Sequence, residues 1–375
     1  MQQCLKIHLT TLRQKGLKLL TSDNKLFGKI RSVFGYTLPF LLTVILLYVT
    51  VIDVNFRESL NHAANLSIFW LVIYLIVFLL SHYVRAIRWK VILNSVKPDT
   101  SKINLFGATM VGYGVNCVVP RLGELYRPFF AGRWEGLSRT SMVGTVIIER
   151  VIDLLVLGFS VLASIIIYSG DLFSDVIWLK STLVIGFSGI TLIILMLFLL
   201  IRLREKFVNV IVKLFNKFSH KLADKVEYVL HTLIEGFNSL KGVKNYFYTI
   251  FYSILIMLLY GLNAYLAMLM IGMDQITNVN YGMAWVVMTV AAFGIIIPTP
   301  GGTGSYHLIV KTALVTLYGF SEEMGFAYAI VTHTISYIVF ISSMLILINA
   351  INIRRQKLGF PKENFFSVFK TNYGE

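Results

Sequence analysis

The residues of this chain able to do chemistry are concentrated in two stretches. The first runs from Gly112 to Asp153. An apolar run carries Asn116, breaks at Pro120-Arg121-Leu122-Gly123-Glu124, and passes through Arg127 into a second apolar run that contains Glu149, Arg150 and Asp153. The second stretch, 284–317, is apolar on both sides of Pro298-Thr299-Pro300-Gly301-Gly302-Thr303-Gly304, with His307 and Lys311 just beyond the break. Charges and Pro/Gly breaks inside runs of such hydrophobicity are costly and mark functional positions in membrane proteins.

The chemistry these residues offer is anion binding. Arg121 and Arg127 carry planar guanidinium groups that take a phosphate through paired N–H bonds. Glu124 stands three residues from each, so it is a pairing partner for either, or a carboxylate favoured by the helix dipole after Gly123. Backbone N–H groups at Gly301, Gly302 and Gly304 are placed to form an anion nest at a helix start, with His307 and Lys311 on one face at i, i+4. The plainer readings are cytoplasmic-interface arginines on one side and a solvent-facing vestibule for Lys311 on the other.

Glu149, Arg150 and Asp153 lie about 12 to 18 Å along a helix counted from Ser141. Glu149 and Asp153 share a face, and Arg150 reaches Asp153 at i, i+3. They read equally as a self-compensated structural cluster and as a substrate- or proton-handling one. Asn116 is a substrate-contact candidate that also suits a helix cap, and Asn263 reads as a cap or cross-link. His333 reads as a packing histidine rather than a proton carrier.

The elements that must position these groups follow from composition. Of 375 residues, 56% are hydrophobic and 14% charged, and the mean hydropathy is +0.73. These values lie outside the range of soluble domains, and several apolar runs reach spanning length. The formal charge of +15 fits basic flanks of membrane spans rather than nucleic-acid binding. Two cysteines, Cys4 and Cys117, make neither a disulfide framework nor a metal site by spacing. No Walker-type phosphate loop is present, so no nucleotide and no cofactor are expected.

Six spans are expected, at 33–52, 66–86, 141–168, 177–201, 246–271 and 326–351. Pro39 kinks the first, and Arg85, Arg88, Trp89 and Lys90 anchor the second at the interface. Segments 103–139 and 284–317 are expected as re-entrant hairpins, because a crossing at 103–119 would carry four arginines to the outside. With that arrangement 30 of the 34 Lys/Arg face the cytoplasm. The cytoplasmic parts are a basic interfacial segment at 1–32, an amphipathic linker at 202–245 and a tail at 352–375 around a membrane domain at 33–351. The fold class is thus an all-α polytopic membrane protein. Its halves, about 66–168 and 246–351, run in opposite orientation as an inverted repeat with a site where the two breaks meet.

Asn116, Pro120, Gly123-Glu124, Arg127, Glu149-Arg150, Asp153, the PTPGGTG break at 298–304 and Arg88-Trp89 together resemble the lysylphosphatidylglycerol synthase transmembrane family, a flippase-like membrane domain. The resemblance covers about residues 35 to 350. It implies translocation of an anionic phospholipid or of a polyprenyl-phosphate-linked glycan intermediate, in a bacterial inner membrane; the Lys/Arg distribution places both termini in the cytoplasm. His307 stands where many relatives carry a Glu. The chain stops soon after its last span, so lysyl transfer and enzyme activity are not expected. The expected partners are a membrane lipid or lipid-linked substrate and, as a candidate, a separate synthase. The competing readings are a membrane enzyme acting on a lipid-linked phosphate or sugar, with Glu149 or Asp153 as base, and a non-transporting scaffold.

Overall fold

The computed structural model describes residues 37–370 except 95, 169–187, 190, 193, 194, 197, 198, 201, 218, 240 and 241. The expected interfacial segment at 1–32, most of the span at 177–201 and the last five residues lie outside the described residues. Helices α1 (Thr37–Val51) and α2 (Phe56–Ala64) meet at a bend of 93°. They are followed by α3 (Ile68–Leu93), α4 (Lys102–Val118), α5 (Gly123–Glu135) and α6 (Arg139–Ile167). Then come α7 (Glu205–Asn216), α8 (His220–Ser239), α9 (Val243–Ile271), α10 (Tyr281–Ile296), α11 (Ser305–Tyr318) and α12 (Glu322–Lys357). No strand occurs among the described residues.

Four of these helices, within α3, α6, α9 and α12, are long and apolar enough to cross a membrane, and the α1–α2 pair makes a fifth if it counts as one broken span. The fold is therefore all-α and polytopic. Pro39 lies near the start of the described part of α1. The segment between the first two expected spans, 33–52 and 66–86, forms the amphipathic helix α2. The Asn55 side chain caps it, accepting from the backbone N–H of Arg57 and Glu58.

Each expected hairpin is present as a helix pair. Gly112 on α4 and Gly123 on α5 let the two backbones approach, Gly107 leaves room for the Ile351 and Trp134 side chains, and the Asn116 side chain accepts a 2.7 Å bond from the Gly123 N–H, capping the start of α5. The second pair, α10 and α11, is joined by the Pro298–Gly304 break. Gly301, Gly302 and Gly304 there have φ of 53°, 80° and 85°, values that a side chain rarely adopts.

The packing repeats itself between the halves. Helix α3 lies on α9, α4 on α12, and correspondingly α10 on α6; within each half the hairpin arms pack on each other and on the following long helix. Two buried cores result. One holds Tyr74, Phe78, Leu266, Val287, Leu314 and Tyr328; the other holds Trp89, Leu105, Phe130, Trp134, Met142 and Ile351. On the outer faces Phe69, Ile76, Phe247, Ile250 and Ile254 are exposed, as suits a surface whose solvent is hydrocarbon.

The tail is not a free extension. Residues 359–369 turn back onto α5, where Phe365 and Phe369 pack on Tyr126 and Val368 is fully buried. Glu363 is 3% exposed, pairs with Arg133 at 3.1 Å and exchanges two backbone–side-chain bonds with Asn352. Removing this carboxylate leaves a largely buried guanidinium short of an acceptor. Glu363→Ala is expected to cost about 2 kcal/mol and to speed tryptic cleavage at Lys362 in limited proteolysis. A cleavage rate equal to wild type would show that the tail is held by its aromatic residues alone.

Candidate functional site

The charges foreseen as separate features form one network. Glu149 on α6 is fully buried. Its carboxylate takes Arg127 of α5 in bidentate fashion, at 3.1 and 2.7 Å, and also Arg85 Nε at 2.8 Å and Arg88 at 3.1 Å, both from α3. Asp153, one turn on, pairs with Arg85, with Arg88 at 2.6 Å and with Arg150 at 3.5 Å. Two further guanidinium nitrogens reach α9: Arg85 donates to the Tyr260 hydroxyl at 3.0 Å and Arg88 to Ser253 at 3.0 Å. One network thus ties α3, α5, α6 and α9 together.

Depth explains the match. Arg85 lies eight residues from the end of α3 and Glu149 ten from the start of α6, about 12 and 15 Å at 1.5 Å per residue. Opposite charges buried at equal depth satisfy one another instead of reaching water. Arg85 and Arg88, read from the sequence as interface anchors, are therefore buried ion-pair partners, and Trp89 beside them is fully buried under Arg127, with the guanidinium 4.1 Å from its ring. The available signal was an imbalance: Glu149 and Asp153 are two acids on a span with only Arg150 as a local cation.

Several expected roles change accordingly. Arg127 is not a free anion receptor, because its fork is used by Glu149. Glu124 pairs with neither Arg121 nor Arg127 but with Arg150, at 3.2 Å. Arg150 does reach Asp153, as its spacing suggests, yet Glu149 finds its partners on other helices. Arg121 is the outlying member: it is exposed, has φ of 61°, and donates to the carbonyl of Ile296 at the end of α10, at 3.0 Å. This arginine thus ties the first break to the end of α10, just ahead of the second break.

At the second break two N–H groups of the expected anion nest are taken up by internal hydrogen bonds. The Gly302 N–H donates to Thr299 O and the Gly304 N–H to His307 Nδ1, at 3.1 and 3.2 Å. Lys311 is 5% exposed and pairs with Glu322 at 2.5 Å, so it holds α11 to the start of α12 rather than facing a vestibule. His333 Nε2 donates to Gly301 O at 3.1 Å, and the Tyr337 hydroxyl donates to Pro300 O at 2.7 Å. These side chains of α12 clamp the break from one side, with the His307 and His333 rings 4.5 Å apart.

Between network and break lies a cavity of about 350 Å³ whose walls come from α3, α4, α6, α9, α10, α11, α12 and Gly301 of the break. Tyr260, the acceptor for Arg85, borders it on one side, and Tyr306, His333 and Tyr337 on the other. Asn116 and Cys117 line it from the first hairpin, while His307, Lys311 and Arg127 do not. The cavity thus collects residues from both halves, including Tyr113, His82 and Asn263, which local sequence pattern did not single out as ligand contacts.

An all-α polytopic protein in which two helix–hairpin–helix halves enclose a midsection cavity is the class defined by this fold and site. The lysylphosphatidylglycerol synthase transmembrane-region family matches residues 36–343, and the chain belongs to that family. It is also similar to a UPF0104 membrane protein of Methanothermobacter thermautotrophicus, 26% identical, with 67% of this chain and 76% of the relative covered. A UPF0104 membrane protein of Methanocaldococcus jannaschii is 24% identical over the same shares of the two chains.

Proposed function

We propose that the protein is a transporter that moves a lipid headgroup between leaflets, the lipid being an anionic phospholipid or a polyprenyl-phosphate-linked glycan intermediate. The observation that carries this reading is the cavity bounded by helices of both halves, with Asn116 and Cys117 from the first hairpin and Gly301 from the second break. Inverted orientation of the halves, with both termini cytoplasmic in a bacterial inner membrane, would let one half rock against the other and open the cavity to each side in turn. The charge network then acts as a latch between α3, α5, α6 and α9, and Arg121 is the guanidinium placed to meet a phosphate at the rim. A separate synthase would supply the lipid.

The test is translocation of fluorescent anionic and glycosylated lipids in vesicles holding the purified chain. Ala292→Trp, which fills the cavity from α10, is expected to lower the rate about ten-fold or more while leaving thermal unfolding near wild type. Inactivity of the wild type on both lipid classes would remove the transport reading. A rate unchanged by the tryptophan would remove the cavity from it.

A further inference from the structure

The cavity differs in chemistry from the charged residues around it. Among the described residues, no Lys, Arg, Asp or Glu lines it. Arg85, which bonds the lining residue Tyr260, is taken up by that hydroxyl and by Glu149 and Asp153. A phosphate drawn into this space would lose its water without gaining a free cation, and burial of an unpaired charge is strongly unfavourable. An ammonium would meet the same cost. It would also stand near a network in which four cations, Arg85, Arg88, Arg127 and Arg150, face three acids, Glu124, Glu149 and Asp153.

What the walls do offer is hydrogen bonding to uncharged groups. Asn263 on α9 is 9% exposed and lines the cavity; its side chain is bonded to Tyr74 of α3, while its side-chain oxygen accepts no hydrogen bond. A buried acceptor without a donor costs about 1 to 3 kcal/mol, which a hydroxyl group would recover. Around it stand aromatic faces; Tyr113 and Phe340 are stacked at 4.7 Å to form one wall. Flat aromatic surfaces beside convergent polar groups suit the C–H faces and hydroxyl edges of a polyol.

We infer that the cavity receives the uncharged, hydroxyl-rich part of a lipid headgroup, a sugar or a glycerol, with Asn263 as hydrogen-bond acceptor, while the phosphate stays outside at Arg121. This rests on the transport reading above and narrows its substrate. Arg121 is bonded to Ile296, next to the lining residue Ile295, so rim and cavity are neighbours.

The experiment is a competition in phosphatidylcholine nanodiscs holding the full chain. Equal amounts of monoglucosyl diacylglycerol, phosphatidylglycerol, phosphatidic acid and phosphatidylethanolamine with matched acyl chains are added, and retained lipid is read by native mass spectrometry. The two hydroxyl-rich lipids are expected about ten-fold enriched over phosphatidic acid and phosphatidylethanolamine, the worth of one recovered hydrogen bond at about 1.4 kcal/mol. Their ratio to each other tells a sugar from a glycerol headgroup. Asn263→Leu should level the four lipids, and Asn263→Asp should raise phosphatidylethanolamine instead. Phosphatidic acid or phosphatidylethanolamine retained as well as the polyol lipids, or no enrichment by the wild type, overturns the inference. If phosphatidic acid is nonetheless carried across vesicles, the transport reading stands and only the headgroup class falls.

Discussion

Glu149→Gln is expected to be the most damaging single substitution in the charge network. Three guanidinium groups converge on this fully buried carboxylate, and Arg127 uses both of its terminal nitrogens on it. A neutral amide keeps the volume but removes the charge, leaving buried cations underpaired at a cost of about 3 to 5 kcal/mol. Thermal unfolding of the purified chain in nanodiscs reads this directly. Arg150→Gln is the contrast, because Arg150 and its partner Glu124 have side chains 39% and 37% exposed, and a pair of that kind contributes about 1 kcal/mol or less. A double change, Arg127→Met with Glu149→Met, should cost less than the sum of the two singles, since each single strands the other residue. Equal unfolding temperatures for Glu149→Gln and Arg150→Gln would mean that the network is wetter and looser than its geometry shows.

Gly123→Ala is the second large effect. Gly123 opens α5 directly against α4, and a Cβ there would lie 2.7 Å from Asn116 Oδ1 and closer still to the Gly112 carbonyl oxygen. Backbone cannot swing aside as a side chain can, so the hairpin arms must separate, which costs about 3 kcal/mol and breaks the cap between Asn116 and Gly123. Gly319→Ala is a useful control. That glycine has φ of 67° but nothing within 4 Å of a Cβ, so only left-handed backbone strain of about 1 kcal/mol applies. Unfolding of Gly123→Ala at the Gly319→Ala temperature would show that the α4–α5 contact is looser than described. The same substitution should also slow lipid movement, because Asn116 lines the cavity.

These two sites show where reading the chain succeeded and where it stopped. Glu149, Asp153 and Arg127 stood out because charge inside an apolar run has few innocent explanations. Their partners did not stand out: Arg85 and Arg88 sit near the end of an apolar helix, where basic residues ordinarily meet lipid headgroups. Only the packing of α3 on α9 and its contact with α6 turns them inward. Lys311 failed for the same reason. Its helical face is readable, but Glu322 is a neighbour only because α11 folds back on α12.

Hydropathy, the Pro/Gly breaks and the distribution of Lys/Arg by themselves determine that the chain is all-α and polytopic, with a broken element in each half. Those properties depend on transfer to lipid and on backbone conformations, which are local. Helix ends were less legible: α3 runs to Leu93 rather than Ala86, because Arg85 and Arg88 are neutralised in place and need not reach the interface. The tertiary structure alone decides that Arg85, Arg88 and Arg127 lock carboxylates instead of facing a ligand, that the Gly302 and Gly304 N–H groups of the second break are consumed internally, and that an aromatic cavity without Lys, Arg, Asp or Glu in its lining lies between them, with an Asn263 oxygen that accepts no bond. Pairing and cavity chemistry depend on which groups meet across helices distant in sequence, and that information is held in the packing.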